Sequence, residues 1–153
     1  MPDHLPPNHH PPAGVAAPPV LDALLGRASV PVRTLRDPVP PDEAIEQAVA
    51  AALRAPDHGG LKPWRFLVFR GEARRALGDA LVQGLTAREP EAPPERIESE
   101  RAKPMRAPMV VVIAAALRHN HKIPLWEQEA CVAAGAANLQ HALESMGWGT
   151  VWL

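Results

Sequence analysis

The chain has 153 residues, of which 46% are hydrophobic and 22% are charged, and its formal net charge is −1. This length and composition suit one globular domain with one core, and the near-neutral charge provides no global field that would favour nucleic acid or an anionic membrane. The single cysteine, Cys131, excludes a disulfide framework within the chain and is typical of a reducing compartment.

No segment has the pattern of a membrane span or a signal peptide. The longest apolar run, residues 107–117, is much shorter than the roughly 20 residues that a transmembrane helix needs. The N-terminus lacks a basic segment followed by an apolar one. The sequence therefore predicts a cytoplasmic protein without a membrane partner.

Residues 1–20 are predicted to form a disordered tail, because they carry seven of the 19 prolines. His4, His9 and His10 lie in this tail, but no Cys or carboxylate cluster completes a metal site around them. The folded domain is expected to span residues 21–153, with a short helix at Pro19–Gly26 at its beginning.

The first half of the domain alternates helical and extended patterns. An extended, Pro-punctuated stretch, residues 27–41, precedes a helix that begins near Pro41 and ends near Arg54. Residues 64–70 read as a strand and residues 72–85 as an amphipathic helix. The residues of that helix expected to face inward are Ala76, Leu77, Ala80 and Leu81.

The second half continues with a helix around residues 94–103 and a β-branched run at 109–115. That run is expected to be a central strand buried on both faces. A long helix from about Trp126 to Ser145, closed by Gly147, leads to a strand that starts at Gly149. The order of elements predicts an α+β domain with a small mixed sheet covered by helices.

Few motifs in the sequence point to chemistry. There is no glycine-rich dinucleotide or phosphate loop, the His119–His121 pair has no nearby Cys, and Cys131 is expected to be an inert thiol inside a helix. Glu127 and Glu129 are expected only to favour the start of that helix. Catalytic residues and a metal site are therefore not predicted.

Cationic and polar groups gather at two junctions between loops and helices. Arg27 and Ser29 follow the first helix, whereas Arg54, His58 and Lys62 flank the pair Gly59–Gly60. A guanidinium beside a hydroxyl suits a phosphate monoester. Arginines also stabilise helix C-termini, so the residues alone leave both interpretations open.

Four segments taken together resemble the FMN-dependent nitroreductase family, in its short branch of NAD(P)H nitroreductases. They are "LLGRASV" (24–30), "VPPDEAIEQAVAAALRAPDHGGLKPWRFLVF" (39–69), "RAPMVVVIAA" (106–115) and "NHKIPLWEQEACVAAGAANLQHALESMGWGTVWL" (120–153). The resemblance implies a nitroreductase-like fold and a homodimer with FMN at its interface. The long helix would serve that dimer, with close approach allowed by Ala133, Ala134, Gly135, Ala136 and Ala137. An internal core helix is compatible with the same composition.

The resemblance also assigns site residues. Those matched to FMN contacts are Arg27, Ala28, Ser29, Arg54, His58, Trp152 and Leu153. Those matched to the nicotinamide nucleotide are Ala142, Leu143, Glu144, Ser145, Met146 and Gly147. Ala28 replaces a second Arg of the family, and Lys62 replaces a Gln beside the flavin ring, where a cation could stabilise reduced flavin.

The function implied is an FMN-dependent oxidoreductase. It would take hydride from NADH or NADPH and reduce a small electron acceptor, such as a nitroaromatic or a quinone. Because the family continues past this point, the chain is expected to be C-terminally truncated. The alternative is a flavin-binding or dimerisation module without turnover.

Overall fold

A computed structural model describes residues 19–153. The predicted tail, including its three histidines, lies outside the described residues except for Pro19 and Val20, which begin the first helix. No helix within 19–153 combines the length and apolarity needed to cross a bilayer. The elements are α1 Pro19–Gly26, α2 Asp42–Ala52, β1 Trp64–Arg70, α3 Ala73–Arg88, α4 Pro94–Ala102, β2 Met109–Ala115 and α5 Leu125–Ser145.

The core lies between α2 and α5. Helix α2 follows Pro41, carries two acids in its first turn, and buries residues at spacings of about four, as an amphipathic helix does. The buried residues that the two helices share are Ile45, Ala48, Ala52, Leu139 and Leu143. A Cβ at Gly135 would lie 3.3 Å from the Ala52 carbonyl oxygen, so the glycine allows the two helices to approach closely.

The sheet differs from the predicted mixed one. In the described residues it has two antiparallel strands, with Trp64 opposite Ala115 and Arg70 opposite Met109. The strand expected at Gly149 is wrong, because residues 149–153 form no ladder. They are attached by one backbone bond, in which the Val30 N–H donates to the Thr150 carbonyl at 2.8 Å.

Strand β2 is half-buried, whereas the sequence predicted burial on both faces. Together with α5 and residues 148–153, the strand lines a cavity of about 640 Å³. The apolar side chains of the strand form part of the wall of this cavity. The side chains that pack on the α2–α5 core include Met109 and Val111. A continuous β-branched run therefore does not require a strand neighbour on each side.

Helix α3 also differs in the face it buries. Ala76 and Ala80 are exposed and Leu77 and Leu81 are half-buried, whereas Gly78 and Leu85 are fully buried. The reason is that α3 packs on α4, where a Cβ at Gly78 would overlap the Arg101 carbonyl oxygen. The inward face of α3 is predicted from apolar residues alone. In the structure, the close contact with α4 is made instead by Gly78.

Candidate functional site

The Arg27 turn, residues 27–30, follows α1 and contacts the C-terminal segment, residues 149–153. The Arg27 Nη1 donates to Ser29 Oγ at 3.4 Å and lies 3.9 Å from Glu144 Oε1. The backbone bond from Val30 to Thr150 holds the turn in place, and a Cβ at Gly149 would come within 2.9 Å of Val30 Cγ2. About a third of the Arg27 side chain remains exposed, so a ligand can reach this side chain.

The segment matched to the nicotinamide nucleotide ends α5 beside this turn. Leu143 is 3% exposed and belongs to the core, and Ala142 and Met146 pack against it. Glu144 accepts a hydrogen bond from Thr150 Oγ1 at 3.0 Å, and Gly147 closes the helix at φ 86°. The exposed members are Ser145 and Gly147, whereas the Glu144 side chain is 18% exposed. Their role toward a nucleotide stays a prediction.

The second cluster is the loop between α2 and β1. The Asp57 carboxylate accepts the Leu61 and Lys62 N–H groups at 3.0 and 2.8 Å, and so folds the loop back on itself. Gly59 has φ 77°, and a Cβ there would come within 2.6 Å of Ile123 Cδ1. Glycine therefore allows this loop to reach the segment that precedes α5.

His58 lies in this loop and contacts the first turn of α5. Its Nδ1 is 2.5 Å from Glu127 Oε1, and 64% of the His58 side chain is exposed. Sequence patterns predict only a role at the helix start for Glu127. Nothing in the local pattern connects residues 58 and 127, so this pair could not be found from spacing.

The other predicted site residues are exposed. Arg54 lies in the turn after α2, and its backbone N–H donates to the Ala51 carbonyl at 3.0 Å. Trp152 and Leu153 are 57% and 92% exposed. Lys62 has φ 51° and lines a groove between α2 and β1. The structure does not bring Lys62 to the Arg27 turn.

Helix α5 separates the two clusters. Glu127 contacts His58 at its beginning, and Glu144 faces Arg27 at its end. These two glutamates are 17 positions apart in the helix, which corresponds to about 25 Å at 1.5 Å per residue. The residues predicted to contact one flavin therefore form two groups within a single chain.

No set of three metal-ligating side chains occurs in residues 19–153. In the His119–His121 loop, His121 Nδ1 accepts a hydrogen bond from the Ile123 N–H at 3.2 Å. This bond closes the turn, so the loop has a structural explanation.

Cys131 is buried, and burial raises the pKa of its thiol, with Asp57 as a further cause. Because the thiolate is the reactive form, we expect Cys131 to react with a disulfide reagent at pH 8 roughly tenfold or more slowly than in unfolded chain. Thiol titration in buffer and in urea measures both rates. Equal rates would contradict the burial of this thiol.

Asp57→Ala is expected to lower the free energy of unfolding by about 1–2 kcal/mol, because two loop N–H groups lose their acceptor. Urea titration measures this change. Asp57→Asn is the matched control, since it keeps one acceptor oxygen and is expected to lose less. Equal stability of Asp57→Ala and the unsubstituted chain would show that the carboxylate does not hold the loop.

Comparison with known proteins adds to this geometry. The sequence model described as the nitroreductase family matches residues 24–153. The protein named "Putative NAD(P)H nitroreductase YdjA" from Escherichia coli (strain K12) is 34% identical over 132 residues, which cover 86% of this chain and 70% of YdjA.

Solved structures share the fold. A nitroreductase-like family protein from Bacillus cereus matches with a TM-score of 0.68 and 24% identity, over 92% of this chain and 72% of that one. An FMN complex from Desulfovibrio desulfuricans matches with a TM-score of 0.64 and 22% identity, over 90% and 69% of the two chains. These likenesses confirm the predicted α+β, nitroreductase-like architecture.

Proposed function

Because the chain belongs to the nitroreductase family, we propose that it is an FMN-dependent oxidoreductase that uses NADH or NADPH. The second substrate is a small electron acceptor, such as a nitroaromatic or a quinone. The observation that carries this proposal is the Arg27 turn, whose cation and hydroxyl lie together at the start of the matched region. We place the protein in the cytoplasm.

The Arg27 turn fits the phosphate of FMN. The exposed guanidinium can donate two parallel hydrogen bonds to phosphate oxygens, and the Ser29 hydroxyl lies within 3.4 Å of it. Ala28, at the position of the family's second Arg, adds no charge. Arg27 therefore supplies the cation for phosphate binding in this turn.

The two clusters support a homodimer. Since one chain holds them about 25 Å apart, a second chain packed antiparallel along α5 would bring the loop of one subunit toward the Arg27 turn of the other. In this arrangement Arg54 and His58 would meet a flavin whose phosphate is bound by the partner subunit's Arg27 turn.

Helix α5 has a face suited to this dimer. Gly135 and Ala136 are buried within the chain, so that part of the small-residue run serves the core. Trp126, which is 69% exposed, is the first residue of a second helix face, whose further residues follow at spacings of four, three and four positions. It continues with Ala130, Ala133 and Ala137, which are exposed or half-buried.

When bound, FMN would supply the redox chemistry, taking up hydride from the nicotinamide and giving electrons to the acceptor. The chain's own residues bind and orient. Arg27 and Ser29 would hold the phosphate, the loop at His58 would contact the flavin, and Trp152 and Leu153 would border the site. No nucleophile is required of the protein.

Reconstitution tests this proposal. The purified protein is incubated with FMN and passed through a desalting column. We expect FMN to co-elute at one per chain and light scattering to give the mass of a dimer. A protein that emerges without flavin would contradict the proposal.

A further inference from the structure

In the contact between His58 and Glu127, only one of the two ring nitrogens of the histidine has a hydrogen-bond partner among the described residues. Nδ1 lies 2.5 Å from Glu127 Oε1, although the two residues are 69 positions apart in the sequence. Nε2 makes no hydrogen bond within residues 19–153. An ionised carboxylate only accepts hydrogen bonds, so in a hydrogen bond between these two groups Nδ1 is the donor.

The start of α5 leaves the Glu127 carboxylate free for this role. Glu127 is the third residue of α5, where a glutamate often bonds back to the N–H of the N-cap residue. Here the N-cap residue is Pro124, which has no N–H. The helix end therefore does not compete with His58 for the carboxylate.

Both partners are fixed by their surroundings. Gln128, next to Glu127, is 2% exposed, and its amide group bonds to the Arg118 N–H and to the Arg118 and Ile123 carbonyls at 2.9–3.1 Å. On the other side, the Asp57 carboxylate folds the loop and Gly59 packs against Ile123. The pair thus joins two ordered segments.

We propose that Glu127 is a positioning residue for His58 in the flavin site, an inference that rests on the proposed function. A free neutral imidazole exchanges between two tautomers and rotates. Glu127 accepts the Nδ1–H, selects one tautomer and fixes the ring, so that Nε2 is the nitrogen presented to FMN.

The first test measures which tautomer His58 adopts in the absence of FMN. In Glu127→Ala, we expect the ¹⁵N shifts of the two His58 nitrogens at alkaline pH to move toward the average of the two tautomers. His58→Ala identifies the signals, and Glu129→Ala removes the same charge from an exposed position two residues away. Unchanged His58 shifts in Glu127→Ala would overturn the proposal.

The second test uses FMN affinity. Glu127→Ala is expected to weaken FMN binding roughly threefold to tenfold, the size of one hydrogen bond's contribution. Glu127→Gln keeps an acceptor oxygen and should restore part of that loss, whereas Glu129→Ala should bind like the unsubstituted protein. In a His58→Ala background, Glu127→Ala should cause no further loss.

The outcomes separate the two proposals. If the unsubstituted protein binds no FMN, the proposed function fails. If it binds FMN and Glu127→Ala binds equally well, only the positioning role fails. An equal loss with and without His58 would show that Glu127 acts through the helix rather than through the histidine, and it would also overturn the inference.

Discussion

Arg27→Ala is expected to weaken FMN binding by roughly 10- to 100-fold, because a charge-assisted hydrogen bond to an anion contributes about 1.5–3 kcal/mol. Arg27 is the cation in the turn that we propose to bind the phosphate, and a third of its side chain is exposed. Fluorescence titration with FMN measures the change. The fold should be unaffected, since the partners of Arg27 are Ser29 at 3.4 Å and Glu144 at 3.9 Å, both weak surface contacts.

Riboflavin provides the matched ligand, because it has the same ring and lacks the phosphate. Its affinity should change little in Arg27→Ala, so the advantage of FMN over riboflavin should fall. Arg33→Ala, at an exposed position in the next turn, is the control variant and should keep full FMN affinity. An equal loss for FMN and riboflavin would show that Arg27 does not contact the phosphate.

Gly78→Ala is expected to lower the free energy of unfolding by about 1–3 kcal/mol, the usual range for overpacking a tight contact. The added Cβ would overlap the Arg101 carbonyl oxygen, which belongs to the backbone of α4. Backbone gives way less easily than a side chain, so α3 and α4 would have to separate. Urea titration followed by circular dichroism measures this loss.

Gly84→Ala is the control in the same helix. The nearest atom to its new Cβ would be Arg88 Nη1 at 3.6 Å, an ordinary contact with a flexible side chain. Alanine favours helix over glycine by about 0.5–1 kcal/mol, so this variant should be slightly more stable. If both variants gained stability, α3 and α4 would not be in close contact at Gly78.

Local patterns predicted the regular elements well. Helix α1 and both strands have the predicted limits, and α2, α4 and α5 differ from prediction by one to two residues at their ends. Helix α3 continues three residues beyond its predicted end. These elements follow from signals within a few residues, such as the proline before α2 and Gly147 after α5.

Contacts between distant segments were not predictable in the same way. The buried face predicted for α3 was wrong because the tight contact with α4 is made at Gly78. A glycine has no side chain, so it does not contribute to a hydrophobic pattern. The strand predicted at Gly149 was wrong because the sequence there suits a strand, but within residues 19–153 its backbone forms a hydrogen bond only with Val30 and no ladder. The pair His58–Glu127 depends on two loops meeting, and no spacing encodes that.

Anaerobic reduction tests the central claim, that the protein is an FMN-dependent oxidoreductase, most directly. The FMN-loaded protein is mixed with NADH or NADPH in the absence of oxygen, and the visible flavin absorbance is followed. We expect the absorbance to bleach with at least one of the two donors and to return when a nitroaromatic or a quinone is added. Bound flavin that stays oxidised with both donors would contradict the claim and leave a flavin-binding module without turnover.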